Sequence, residues 1–229
     1  MRRVSIAIDG PCASGKSTIA KLLAQRLGYK LINTGAMYRA VGLLAIERGI
    51  DPLDEAGVSF ILPDVDIDFV GPASSQRVIL NGRDITERIA QPDVASAASA
   101  ASSLLPVRKD LVARQQAMAK EGGVVLEGRD IGTVVLKDAE CKFYVTASIE
   151  ERARRRLKDY ESMGIQKALA EVQDELRQRD QNDMTREHSP LKKAADAIEL
   201  DTTNLTIAQV IDRLMAHIQA ATKPDGSPV

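Results

Sequence analysis

Between a short apolar run, Val4-Ser5-Ile6-Ala7-Ile8, and an amphipathic stretch, Ile19 to Leu27, lies Gly10-Pro11-Cys12-Ala13-Ser14-Gly15-Lys16-Ser17. This octapeptide follows the spacing G-x-x-x-x-G-K-[ST], and it constrains the fold more than any other feature of the chain. In such a loop the backbone N–H groups converge on an anion at a helix N-terminus, and the glycines let the backbone close around it. The sequence therefore predicts a strand, a phosphate-binding loop and a helix in succession, with Gly28 stopping the helix. Gly10 to Ser17, with Thr18, are expected to hold the phosphates of a nucleoside triphosphate. Lys16 would reach the β- and γ-phosphates, and Ser17 would ligate Mg2+. Cys12 admits two readings, a small residue in a tight loop or a redox-sensitive thiol near a helix N-terminus.

The rest of the chain alternates strand and helix signals. Leu31-Ile32, Val124-Val125-Leu126, Lys142 to Val145 and Ile198 to Leu200 read as buried strands. Helices are expected from about Gly35 to Glu47, through the small-residue stretch Val94 to Ser103, and from Pro106 at a first helical position. Ser148 with Glu151, and Thr206 with Gln209, read as capping boxes opening two more. In the last helix Ile207, Val210, Ile211, Leu214 and Ile218 make one apolar face. This alternation implies an α/β domain with a mainly parallel sheet. Residues 64–85 differ: Val65, Ile67 and Phe69 alternate with Asp, and Val78 to Leu80 runs into the tight-turn pair Asn81-Gly82, so a small antiparallel insert is expected.

Composition removes several function classes. The 229 residues carry 31 Lys+Arg against 32 Asp+Glu, too balanced to coat nucleic acid or an anionic membrane. With four Tyr, three Phe and no Trp, a base-stacking platform for single strands is not expected. No apolar run approaches the roughly 18 residues of a membrane span, and Met1-Arg2-Arg3 followed by Val4 to Ile8 is too short for a secretory signal. Cys12, Cys141, His188 and His217 show no metal-ligand spacing, which points to a reduced, cytoplasmic protein. A monomer is expected, because no long apolar stripe lacks a core role.

A phosphate loop says triphosphate, not which reaction. The chain has no N-K-x-D guanine-reading sequence and no L-S-G-G-Q-type signature, which leaves a small kinase whose acceptor needs its own anion site. Arg binds phosphate bidentately, and 19 of the basic residues are Arg. Asn33-Thr34-Gly35-Ala36-Met37-Tyr38-Arg39 follows the second strand and Glu127-Gly128-Arg129-Asp130-Ile131-Gly132-Thr133 the third. Ligands of open parallel sheets bind beyond the carboxyl ends of the strands, so Arg39 and Arg129 should share a cleft with the phosphate loop. In Arg152-Ala153-Arg154-Arg155-Arg156, helical spacing puts Arg152, Arg155 and Arg156 on one face and Arg154 off it. That run is either a solvated face or a lid closing over the phosphates, where cations neutralise the transferring group.

Together D-G-P-x-x-S-G-K-S at Asp9–Ser17, T-G-A-M-Y-R at Thr34–Arg39 and G-R-D-I-G-T at Gly128–Thr133 resemble the bacterial cytidylate kinases, a nucleoside monophosphate kinase family, from Val4 to about His217. The resemblance implies a P-loop kinase: a five-stranded parallel sheet flanked by helices, an inserted monophosphate-binding lobe and a mobile helical lid. The single domain 1–229 would divide into a core (about 1–36, 120–146 and 194–222), the monophosphate lobe (about 37–119), the lid (about 147–193) and a frayed tail (223–229). It implies phosphorylation of CMP and dCMP by ATP with Mg2+. By that resemblance Thr34, Arg39 and Arg129 hold the acceptor phosphate, Ser99, Arg108 and Asp130 read the cytosine with Arg186 nearby, and Arg179 and Asp183 hold the sugar. Lys16, Arg129, Arg155, Arg156 and Arg186 would carry the transfer, with Arg152 at the ATP. For Ser99 tight helix packing, and for Asp130 a structural ion pair, stand as the alternatives. Asn33 departs from the family, which usually has Asp there, and Glu127 would stand as a further acid toward Mg2+. The competing functions are a kinase of UMP or another small metabolite, and a non-catalytic nucleotide-binding switch.

Overall fold

The computed structural model describes residues 3–222, so the expected frayed tail at 223–229 lies outside the described residues. Strand β1 (Ser5–Asp9) leads through the phosphate loop into helix α1 (Lys16–Leu27). Gly28 ends that helix in the left-handed conformation (φ 65°), freeing Tyr29 N–H to return to Ala24 O at 2.9 Å. Next come β2 (Lys30–Asn33) and α2 (Thr34–Glu47), the latter opened by the Asn33 amide oxygen, which accepts from Ala36 N–H at 3.0 Å.

Helix α3 (Glu55–Ile61) precedes three short antiparallel strands, β3 (Ile67–Val70), β4 (Arg77–Leu80) and β5 (Arg83–Asp84). Asn81 and Gly82 turn the chain with φ of 52° and 76°, which is why an Asn-Gly pair stands there. Helices α4 (Pro92–Ala101) and α5 (Leu105–Ala119) follow. Pro106 sits one place further into α5 than expected, still in the first turn, where its missing N–H costs no helical hydrogen bond. Strand β6 (Val124–Glu127), a π-helical turn at Ile131–Val135, β7 (Cys141–Thr146), α6 (Ile149–Ser162), α7 (Leu169–Thr185), β8 (Ile198–Asp201) and α8 (Ile207–Ala221) complete the order.

Thr206 and Gln209 form the full reciprocal cap of α8. At α6 only half of the expected box forms. Ser148 accepts from Glu151 N–H, but the Glu151 carboxylate turns to Arg155 at 3.0 Å, an ion pair that outcompetes a neutral N–H.

Five strands make one parallel sheet in the order β2-β6-β1-β7-β8, as the alternation of elements implied. Period-two alternation feeds both of its faces. Ile6 and Ile8 pack with α1 and α8, around Leu23, Phe143 and Leu214, whereas Ala7 faces a second cluster built from α2, α5 and the small sheet, around Met37, Leu43 and Leu111. A third, small cluster lies between α6 and α7 (Ala153, Tyr160, Val172, Leu176), with Cys12 and Ala13 packed against it. The carboxyl ends of β1, β2 and β6 thus open toward one cleft, roofed by α6 and α7. Among the described residues no helix is long and apolar enough to cross a membrane.

Candidate active site

The cleft has a volume of about 810 Å3 and its lining runs from the phosphate loop to Arg108. At one end the loop is wound tightly. Gly10 has φ 144°, and a Cβ there would lie 2.0 Å from Val145 O, so only glycine fits. Cys12, Ala13, Ser14, Gly15, Lys16, Ser17 and Thr18 line the cleft, while Gly10 and Pro11 lie beneath it. The Lys16 ammonium folds back over the loop, donating to Pro11 O at 2.6 Å and Ser14 Oγ at 3.3 Å. Burial, with Arg129 nearby, brings its pKa down from 10.5 to about 7 against the pull of Glu127, Cys12 and Asp9. Ser17 Oγ donates to Glu127 Oε1 at 2.8 Å, which puts a hydroxyl and a carboxylate side by side at the mouth of the loop.

Helix α6 brings its arginines to this end at different depths. Arg155 and Arg156 line the cleft, and Arg154 is exposed and pairs with Glu151. Arg155 is also braced, donating to Ser14 O at 3.1 Å and to Thr202 O at 3.0 Å. Arg156 stacks over the Tyr160 ring, 4.4 Å from its centroid. Arg152 departs from expectation: it does not line the cleft but is buried behind the loop, donating to Cys12 O, Ala147 O and the Asp180 carboxylate (2.6 Å). A position three residues earlier on the same helical face lies about 4.5 Å nearer the sheet, so it supports the loop rather than facing a ligand.

The other end collects Thr34, Arg39, Ser99, Arg108, Arg129, Asp130, Arg179, Asp183 and Arg186. Their sequence separations are large, and the topology alone brings them together. Arg108, 2% exposed, donates to the Asp130 carboxylate and to Ser102 O, and its Nε has no partner among the described residues. Arg129 Nε donates to Asp183 at 2.8 Å. Arg186 donates to Ser189 O and stands 3.8 Å from Asp130 and 3.7 Å from Asp183. Thr34 Oγ1 donates to Glu127 O at 2.8 Å. Arg39 makes no hydrogen bond or ion pair among the described residues, and burial beside Arg179 lowers its pKa. Arg179 Nε is likewise buried without a partner. Unpaired guanidinium groups held in one cleft are poised for anions, since each costs free energy until an anion arrives.

A model of the family described as Cytidylate kinase matches residues 6–220. The chain belongs to that family. A protein named Cytidylate kinase from Caldicellulosiruptor saccharolyticus is 48% identical over 215 residues, covering 94% of this chain and 95% of that protein. One of the same name from Bacillus cereus is 47% identical over 217 residues, covering 95% and 96%. A solved structure of an uncharacterized protein from Eubacterium ventriosum is similar with a TM-score of 0.52 at 14% identity, covering 96% of this chain and 99% of that one, which speaks to the fold alone.

Two residues of this cytidylate kinase family member escaped the sequence reading. Tyr38 lines the cleft with its hydroxyl buried and unpartnered, under the Arg108 guanidinium at 5.5 Å, and burial pushes its pKa to about 12. Its place in T-G-A-M-Y-R beside Arg39 was the available signal. Thr202, after β8, accepts from Arg155 and donates to the carbonyls of Thr146 and Ser14; nothing local in the sequence marks it. Asn33, the departure from the family pattern, lines the cleft and caps α2, a task that either amide or carboxylate oxygen performs.

Proposed function

We propose that the protein transfers the γ-phosphoryl group of ATP in line to the 5′-phosphate of CMP or dCMP, giving ADP and CDP or dCDP. One observation carries this reading: a phosphate loop and a set of half-buried, partly unpaired arginines face each other across one cleft, with the buried Arg108–Asp130 pair at the far end. An acceptor phosphate is already anionic, so no strong base is required. Catalysis is positioning plus charge neutralisation. In this reading the loop N–H groups and Lys16 hold the ATP phosphates, while Arg39 and Arg129 hold the acceptor phosphate, with Thr34 beside them. Arg156 and Arg155 close from α6, Arg179 and Asp183 take the sugar, and Arg186 and Ser99 flank the base. The segments about 37–119 and 147–193 then act as acceptor lobe and lid around the remaining core, excluding water that would hydrolyse ATP.

Cytosine selectivity follows from donor–acceptor chemistry. The cytosine amino group donates to Asp130, whose Oδ1 is not taken by the Arg108 hydrogen bond, and Arg108 donates to the ring acceptors. Uracil would set an oxygen against that carboxylate.

The Ser17 hydroxyl and Glu127 carboxylate, 2.8 Å apart, are the hard oxygen donors that Mg2+ prefers, and few protein ligands are needed because phosphates and water complete its shell. When bound, Mg2+ neutralises charge on the β- and γ-phosphates. A monomer at work in the cytoplasm belongs to the same reading, consistent with Cys12 and Cys141, both free thiols.

A coupled ADP-release assay with CMP, dCMP, UMP and AMP tests the proposal. ADP release should depend on CMP or dCMP and be at least about tenfold weaker with UMP. Equal rates with UMP and CMP would remove the cytosine reading, and ADP release independent of any acceptor would point to a switch.

A further inference from the structure

We infer that Asp9 is a positioning residue for the acceptor site: its buried carboxylate at the end of β1 clamps the turn that carries Arg129 and Asp130, and so sets the phosphate-binding Arg129 and the cytosine-reading Asp130 against the phosphate loop. This rests on the proposed function and deepens it. Asp9 is 4% exposed and does not line the cleft. One carboxylate oxygen accepts from Ile131 N–H and the other from Gly132 N–H, both at 2.7 Å. These are the first two N–H groups of the π-helical turn, which have no partner within the turn and attract a carboxylate.

The clamp leaves little play. Upstream, Gly128 N–H donates to Ile8 O at 2.9 Å and Thr34 Oγ1 holds Glu127 O at 2.8 Å. Downstream, a Cβ on Gly132 would lie 3.4 Å from Asp9 Oδ2 and 3.2 Å from Lys142 Cδ. Between these pins stand only Arg129 and Asp130. On its other side Asp9 is bonded to Gly10, where an added Cβ would lie 2.0 Å from Val145 O, so the backbone from which the carboxylate reaches runs tight against β7. One residue therefore joins the donor loop to the acceptor pair, across 122 residues of sequence. The support is a costly one. Burial raises the Asp9 pKa to about 6 despite both N–H groups, with Asp130 adding repulsion and Lys16 partial relief. A carboxylate kept at such expense fits a place where geometry must be held within fractions of an ångström.

The test is Asp9→Asn, assayed beside wild type with CMP and UMP, together with ATP affinity from a fluorescent ATP analogue. An amide retains one acceptor oxygen but turns an NH2 toward the second N–H. The KM for CMP should rise and the CMP-to-UMP ratio of kcat/KM should fall about tenfold, with ATP affinity changed less than about twofold. Gly132→Ala presses on the same contact from the opposite side and should lower the CMP-to-UMP ratio in the same direction; it decides the matter if Asp9→Asn fails to fold. A merely structural role would reduce thermal stability and active fraction while leaving the CMP KM and the ratio unchanged, and that result would overturn the assignment. So would equal loss of ATP and CMP affinity. A wild-type protein without CMP-dependent ADP release would instead remove the function, and this inference with it.

Discussion

Arg129 donates from Nε to the Asp183 carboxylate at 2.8 Å, joining the turn after β6 to helix α7 across 54 residues of sequence. Burial opposes both charges, but the pairing prevails. Asp183 is held below the ordinary carboxylate range by Arg129, with Arg179 and Arg186 adding to the effect, and the Arg129 pKa is raised by Asp183, Cys12 and Glu127. Arginines that lie on separate elements are therefore pre-assembled around one carboxylate.

Removing that carboxylate should be expensive. Asp183→Ala leaves the half-buried Arg129 and Arg186 guanidinium groups without their shared partner, a loss of about 1.5–3 kcal/mol at neutral pH. Because the folded pKa lies below the ordinary 3.8, the stabilisation is complete above that value and is lost as pH falls through the folded pKa. Thermal melts of wild type and Asp183→Asn should therefore differ most near pH 7 and converge below about pH 4. A gap that persisted unchanged to pH 3 would mean that Asp183 acts by packing and not by charge.

Proton uptake is expected when ATP binds. In the free protein Lys16 has a pKa of about 7, depressed by burial and by Arg129, so at pH 8 it is largely neutral. Phosphate anions favour the ammonium and draw a proton onto it. Calorimetric titrations with ATP at pH 8, in two buffers of different ionisation enthalpy, should show net uptake that shrinks toward pH 6, and ATP affinity should weaken as pH rises above 7. Buffer-independent heats at pH 8 would contradict this.

How much of this was legible depended on whether the cause was local. The phosphate loop, the Gly28 stop and the Asn81-Gly82 turn each follow from a few consecutive residues, and so do the strands of the parallel sheet, whereas the short α3 and the charged α7, which carries few large apolar anchors, give no such local signal. Cleft membership of Arg39 and Arg129 follows from their places after parallel strands, whereas that of Arg108, Arg179 and Arg186 rests on the family resemblance, because spacing alone does not say which distant loops meet. Arg152 was misplaced because helical periodicity gives a face and not a depth along it. Asp9 opens the D-G-P-x-x-S-G-K-S stretch, but its partners are the N–H groups of Ile131 and Gly132, and backbone hydrogen bonds over such separations leave no mark in composition or spacing.

Arg155 and Arg156 should separate in their effects although they are neighbours. Arg155 donates to Ser14 O and to Thr202, fastening α6 to the phosphate loop, whereas Arg156 offers its guanidinium across Tyr160 with Asp159 only at 3.9 Å. Arg156→Ala should lower kcat by about tenfold or more with a melting temperature near that of wild type. Arg155→Ala should lower both, costing about 1–3 kcal/mol of stability through the Thr202 carbonyl left unpaired and the lost tie to Ser14 O. Steady-state kinetics beside thermal melts decide it. If Arg156→Ala left kcat intact, that residue would return to being part of a solvated face.

Cys12 should be the reactive thiol of the chain. Burial disfavours its thiolate, but Arg179, Arg129, Lys16 and Arg156 more than offset that and lower its pKa below 9.0. Cys141, buried in β7 beside Glu140, is pushed up to about 11. The surrounding cations thus favour the thiolate at Cys12 while burial disfavours it at Cys141, and the thiolate is the nucleophile. Because Cys12 lines the cleft within the phosphate loop, bound ATP should cover it. Iodoacetamide at pH 7.5, followed by peptide mass spectrometry, should modify Cys12 well before Cys141, with saturating ATP slowing the reaction and with loss of activity in step with labelling. Equal labelling of the two cysteines would show that burial outweighs the surrounding cations. Labelling of Cys12 undiminished by ATP would show that the thiol is reached from behind the loop, between α6 and α7, where Cys12 packs against Ala153 and its neighbours and not through the cleft.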